Sequence, residues 1–181
     1  MERGQKRLTI VVHSRLHLTL LAMHTGEYRI NGGVGLAIED PTCELTCFCT
    51  PEFAITDQRS DPLSDSELEK LTSVLLAEKN RCGFADALTI SITGKMRTHF
   101  GFGSGTAIRL ACLELLHNMN DSTPNQASLV EASGRGGTSG VGINTYFSGG
   151  CVFDLGRATE REPHVPSQQA ITLQRPLVLD H

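Results

Sequence analysis

The chain has 181 residues, 39% hydrophobic and 20% charged, a globular balance long enough for one domain with a real core rather than a disordered chain. A formal net charge of -4, with lysines and arginines scattered along the chain, gives no basic field for counterion-driven binding, so no nucleic-acid partner is expected. No apolar run approaches the ~18 residues of a membrane helix, and the run at 8–12 is too short for a signal peptide, so a cytoplasmic protein without a membrane partner is expected.

In chain order, residues 8–21 read as an extended segment interrupted by His13, Ser14, Arg15 and His17, polar residues that need partners or a ligand. A glycine-rich turn at 28–35 leads to an apolar piece at 36–38 and, past Pro41, to the alternating stretch 43–49, which together suggest a strand pair. Residues 62–67 offer several N-caps for an amphipathic helix through Leu68, Leu71, Val74 and Leu75, stopped at Cys82 and Gly83. A strand at 87–93 runs through residues 94–100 into a glycine turn at 101–106 and then a helix with Ala107, Ile108, Ala111, Cys112, Leu115, Leu116 and Met119 inside. A short helix with Pro124 near its first turn ends at Gly134, followed by a second glycine-rich loop. Residues 144–155 read as a turn and a strand, and 157–169 as a linker.

The six cysteines fit buried free thiols better than disulfides: Cys43, Cys47 and Cys49 share one face of an alternating segment, and Cys82, Cys112 and Cys151 sit in apolar company elsewhere. A metal site at the Cys-x3-Cys-x-Cys spacing is the rival reading, weakened because structural zinc usually takes paired ligands in tight turns.

Chemistry concentrates in the Gly-Phe-Gly-Ser-Gly-Thr run at 101–106. Gly101, Gly103 and Gly105 let the backbone turn tightly, and the helix starting near Ser104 adds unsatisfied amides and its dipole, so an anion can sit there without a strong cation. The plain alternative is a turn that merely starts a helix. The loop is neither the Gly-x-Gly-x-x-Gly dinucleotide fingerprint nor a Walker loop.

With its neighbours, this loop resembles the phosphate-wrapping second motif of the GHMP kinase superfamily. Five ordered segments across about residues 8–155 (Ser14 to His17, Asn31 to Ile38, the loop, Gly134 to Gly142 and Gly149 to Asp154) resemble the β-ribofuranosylaminobenzene 5'-phosphate synthase family. The resemblance implies an α+β fold: a GHMP kinase-like N-terminal domain over 1–156, its mixed sheet backed by helices in a ribosomal-protein-like βαβ arrangement. Residues 157–181 would be a linker and the start of a C-terminal domain otherwise absent. The implied activity joins phosphoribosyl pyrophosphate to 4-aminobenzoate or 4-hydroxybenzoate with loss of carbon dioxide and pyrophosphate, in methanopterin-type cofactor synthesis. An ATP-dependent small-molecule kinase and a truncated ligand-binding domain are the alternatives; the kinase is disfavoured because Gly142 stands where several GHMP kinases carry an aspartate.

In that reaction an oxocarbenium-like centre forms as pyrophosphate leaves, so the site must neutralise the leaving group and hold the aromatic acid. The resemblance therefore implies magnesium and assigns pyrophosphate to Gly101, Gly103, Ser104, Gly105 and Thr106, through backbone amides and the two hydroxyls. Arg15 and His17, two apart on one strand face, could grip a carboxylate or the 5'-phosphate. Arg135, between two glycines, could reach a phosphate, with Ser139 nearby. Asn31, Gly32 and Gly33 could approach the ribose or the ring, although an Asn-Gly pair is commonly just a tight turn. Asp154 could hold magnesium, and His99 could meet the anion or simply pack. A homo-oligomer or a separate C-terminal half is the expected partner.

Overall fold

The computed structural model describes residues 6–21, 29–98, 100–136 and 140–158. His99, Ser139 and the linker beyond 158 lie outside them. The elements are β1 (Arg7–Leu21), β2 (Arg29–Ile30), β3 (Gly32–Thr50), β4 (Ala54–Asp57), α1 (Asp65–Cys82), β5 (Ala87–Gly94), α2 (Ser104–Met119), α3 (Gln126–Ser133), α4 (Gly140–Ser148), β6 (Cys151–Asp154) and β7 (Arg157–Ala158).

The five-stranded sheet runs β1-β3-β5-β4, with β6 also paired to β3, while β2 pairs β7 separately. All pairs are antiparallel except β4 with β5. The long strand β3 organises the sheet: β1 follows one edge throughout, and the other edge is shared by β6 at Gly33 to Leu36 and β5 at Cys43 to Thr50. The two pieces read as a strand pair are thus one strand, which passes Pro41 by slipping register. His13 faces Thr42 but Ser14 faces Ile38, so residues 39–41 bulge from the ladder, where a missing N–H does no harm. The Ser14 hydroxyl donates to the Pro41 carbonyl and pins the bulge.

Alternation sends Leu45, Cys47, Leu88, Ile90 and Ile92 to the inner face, where they are fully buried against α2. The outer face is more polar, with Thr9 and Thr46 hydrogen-bonded across strands at 2.8 Å. Helix α2 is apolar nearly all round, as a helix enclosed by α1, α3, α4 and the sheet must be. All six cysteines are free thiols. Cys49, Cys82 and Cys151 are only partly covered, and no metal-holding group forms at Cys43, Cys47 and Cys49 among the described residues.

Helix boundaries follow local chemistry. Glu67 accepts the Ser64 backbone N–H at 2.9 Å in a capping box, and Gly83 closes α1 at φ 68. Asn125 caps α3 by accepting from the Ser128 N–H, placing Pro124 just before the cap. Residues 144–147, read as a turn and strand, lie in α4 instead. Their period is obscured by Gly140 and Gly142, which permit close packing on the sheet at the expense of helix propensity.

One buried ion pair holds the approach to the glycine loop. Arg59 and Asp57 side chains are 0% and 1% exposed and bond through both guanidinium forks, at 2.8 and 2.6 Å. Arg59 also donates to the Met96 carbonyl and the Thr98 hydroxyl, fixing the segment that leads into residues 101–106. Arg59→Met strands the Asp57 charge and should destabilise the protein by about 3–5 kcal/mol in urea denaturation, whereas the Asp57→Leu, Arg59→Met double variant should lose less. Equal losses would show that isolation of the charge is not the cause.

Candidate anion site

β1 carries Arg15 to the glycine loop, where its backbone N–H donates to the Phe102 carbonyl at 3.1 Å and its Nη1 to the Gly103 carbonyl at 3.3 Å. A Cβ on Gly103 would lie 2.2 Å from that Nη1, and a Cβ on Gly142 would lie 2.3 Å from it. Gly103 also caps α2 at φ 68, in the left-handed region. Two glycines from different elements therefore leave a slot between the start of α2 and the first turn of α4. The Arg15 guanidinium fills it.

Its Nε is buried without a hydrogen-bond partner, and among the described residues no carboxylate pairs with it. Two further guanidiniums stand behind. Arg135 donates from Nε to the Thr106 hydroxyl at 3.3 Å, and Arg109 donates to the Ser133 carbonyl at 3.0 Å. Burial, and then the Arg135 charge, push the Arg15 pKa down to about 10. Burial and then Arg109 lower that of Arg135, and burial alone lowers that of Arg109. These are the marks of desolvated cations repelling one another, a state that a bound anion relieves.

His17 lies beside this group. Its pKa is lowered by burial and by Arg15, against the opposing pull of a Thr19 backbone hydrogen bond and the Asp154 charge, so the ring is mainly neutral at pH 7. Gly33 makes room for it, since a Cβ there would lie 2.6 Å from His17 Nε2 and 3.3 Å from Val141. Gly32 packs against the Asp154 carbonyl and Gly35 against Val141. Asn31 is the buried left-handed residue, φ 60, between β2 and β3.

The structure thus gathers Arg15, Arg135 and the glycine loop, with His17 alongside. Space beside Gly101 and Gly105 is open, whereas Gly103 is closed by Arg15. The Thr106 hydroxyl, read as a pyrophosphate ligand, is buried and engaged by Arg135; Ser104 is buried beside it. Asp154, which a strand end would normally leave solvated, is 3% exposed and accepts the Gly156 N–H at 2.8 Å. The sequence reading omitted Arg109. Its signal was an arginine inside a helix otherwise apolar on nearly every side.

No family model matches the chain. The β-ribofuranosylphenol 5'-phosphate synthase of Archaeoglobus fulgidus is 31% identical over 166 residues, 91% of this chain and 50% of that protein. The enzyme of the same name from Methanothermobacter thermautotrophicus is 26% identical over 174 residues, 94% of this chain and 53% of its own. The chain belongs to this synthase family. It spans about half the length of the curated relatives it matches, corresponding to their N-terminal portion. Among solved structures, L. major mevalonate kinase in complex with R-mevalonate has a TM-score of 0.60 at 13% identity, covering 87% of this chain and 52% of that one. Homoserine kinase from Cytophaga hutchinsonii has a TM-score of 0.57 at 16% identity, covering 84% and 50%. These likenesses give the fold, that of the GHMP kinases.

A guanidinium whose pKa falls on folding opposes folding while it stays charged. The Arg15 penalty is therefore present at all pH values below about 10 and is relieved as pH rises from there toward the ordinary arginine range. Arg15→Met should raise the Tm of the ligand-free protein at pH 7 while abolishing the further rise produced by pyrophosphate. A large fall in Tm would mean that Arg15 is a structural link.

Proposed function

We propose that the chain is the phosphoribosyl pyrophosphate-gripping portion of a synthase that condenses this compound with 4-aminobenzoate or 4-hydroxybenzoate. The observation that carries the reading is Arg15, a cation without a carboxylate partner among the described residues, seated between two glycines where α2 and α4 begin. As the anomeric carbon–oxygen bond breaks, charge develops on the departing pyrophosphate. The loop amides of residues 103–106 and the Arg15 and Arg135 guanidiniums would receive it. The ring carbon bearing the carboxylate bonds to the anomeric carbon, carbon dioxide leaves, and its bonding pair returns to the ring. His17, largely neutral, would orient the aromatic acid, with Ser139 and the Asn31 turn as further substrate contacts.

Magnesium is best assigned to the incoming pyrophosphate. The described residues do not form a resident site for it: guanidiniums and amides surround the loop, and Asp154, the carboxylate whose charge reaches His17, already accepts from Gly156. No step relies on a protein-held ion.

The kinase reading draws on the fold, but Arg15 occupies the space that a side chain at 142 would need. The binding-domain reading draws on the half-length match. The exposed Leu16, Leu18, Leu20, Phe153 and Leu155 support a covering partner, either a second copy or a separate C-terminal half. Among the described residues no helix is long and apolar enough to cross a membrane.

Calorimetric titration with phosphoribosyl pyrophosphate and with ATP, each with magnesium, separates these readings. The synthase predicts preference for phosphoribosyl pyrophosphate, then release of labelled carbon dioxide from carboxyl-labelled substrate when the C-terminal half of a relative is added. Preference for ATP would replace it with the kinase, and silence toward both ligands even with that half present would overturn the phosphate site.

A further inference from the structure

A second cluster of reactive side chains lies between α1 and α2, among neither the loop residues nor the arginines. Glu78 and Cys82 stand four apart on α1 and so share a face, and His117 comes from the last turn of α2. Glu78 Oε1 is their common point, 2.8 Å from His117 Nε2 and 3.5 Å from Cys82 Sγ. One ligand atom from each of the three lies within 4.8 Å of the others.

We infer that Glu78 Oε1, Cys82 Sγ and His117 Nε2 form a site for a zinc-like divalent cation, with a water as fourth ligand.

The donor set is the mixed oxygen, sulfur and nitrogen that such a cation takes. Tetrahedral bonds of about 2.0 Å to nitrogen and oxygen and about 2.3 Å to sulfur place those atoms roughly 3.3 and 3.5 Å apart. The sulfur–oxygen separation already matches, and the histidine must withdraw from the carboxylate by about 0.5 Å. The ring is oriented as metal-bound histidines usually are, through its other nitrogen: Nδ1 lies 3.0 Å from the Ser122 hydroxyl, and Phe84 packs edge-on at 5.0 Å.

Arg81 stands at the entrance with its side chain 60% exposed. It bonds Oε2 at 2.7 Å and Oε1 at 2.6 Å. The cation needs only the second of these to yield, because the outer oxygen keeps Arg81 as its partner. On binding, the thiol proton leaves for solvent, and thiolate and carboxylate together offset the two positive charges. Without the cation, Arg81 first and His117 among the further donors hold the Glu78 carboxyl down to about 2, while burial and then the Glu78 charge keep Cys82 protonated. A cation reverses that balance at the sulfur. With ligands from both helices, the site would fasten α1 to α2.

The test is titration of the reduced, intact chain with cobalt(II), a spectroscopic stand-in for zinc, followed by thermal denaturation with zinc. A thiolate-to-cobalt absorption band saturating at one equivalent and a zinc-dependent rise in Tm are expected. Cys82→Ser, at a partly exposed position, should keep the metal-free Tm, lose the band and weaken cobalt at least about tenfold. Cys82→Asp should regain cobalt without the thiolate band. No band in the parent chain, or an unchanged band in Cys82→Ser, overturns the site.

Discussion

The candidate site depends on one guanidinium being held in a slot that only glycines can leave. Arg15 reaches the start of α2 because β1 runs beside the glycine loop, and it stays because neither Gly103 nor Gly142 carries a side chain. Desolvation and the neighbouring Arg135 make this an unfavourable resting place for a cation. Its neighbours are a helix N-terminus and Arg135, itself backed by Arg109, all of one electrostatic sign. Such an arrangement is stable only as part of a larger fold, and its natural complement is a multiply charged anion.

The remainder of the fold serves that placement. β3 is continuous across Pro41, so β1 keeps one partner along its length despite two register shifts and delivers Arg15 and His17 to the same region. The buried Asp57 and Arg59 pair fixes the segment from which the loop springs. Close approach at Gly33 and Gly35 sets Val141, and with it α4, directly on the sheet. Glycines that look like flexible turns in the sequence are in large part packing contacts here.

Much of this was legible in the residue pattern. The periods of α1, β5 and α2 and the strand-loop-helix order around Gly101 to Thr106 needed no tertiary knowledge, because alternation and capping are local. The helix α4 escaped, since Gly140 and Gly142 depress helix propensity and the gain from packing on β3 cannot be seen in sequence. For the same reason the sequence shows Thr106 in the loop but not that its hydroxyl accepts from Arg135, 29 residues away. Arg109 was missed because one charge on a helix reads as solvated until the helix is known to be enclosed. The Arg15 seat was half legible: Gly142 stood out as the absence of an aspartate, but not as room for an arginine.

The most direct test of the central claim is nitrogen-15 NMR of the arginine side chains as pyrophosphate is added. A saturable shift of the Arg15 Nε–H resonance, lost in Gly142→Ala because the new methyl displaces the guanidinium, is the predicted result. An Arg15 resonance that stays fixed while pyrophosphate binds would place the anion elsewhere and contradict the account.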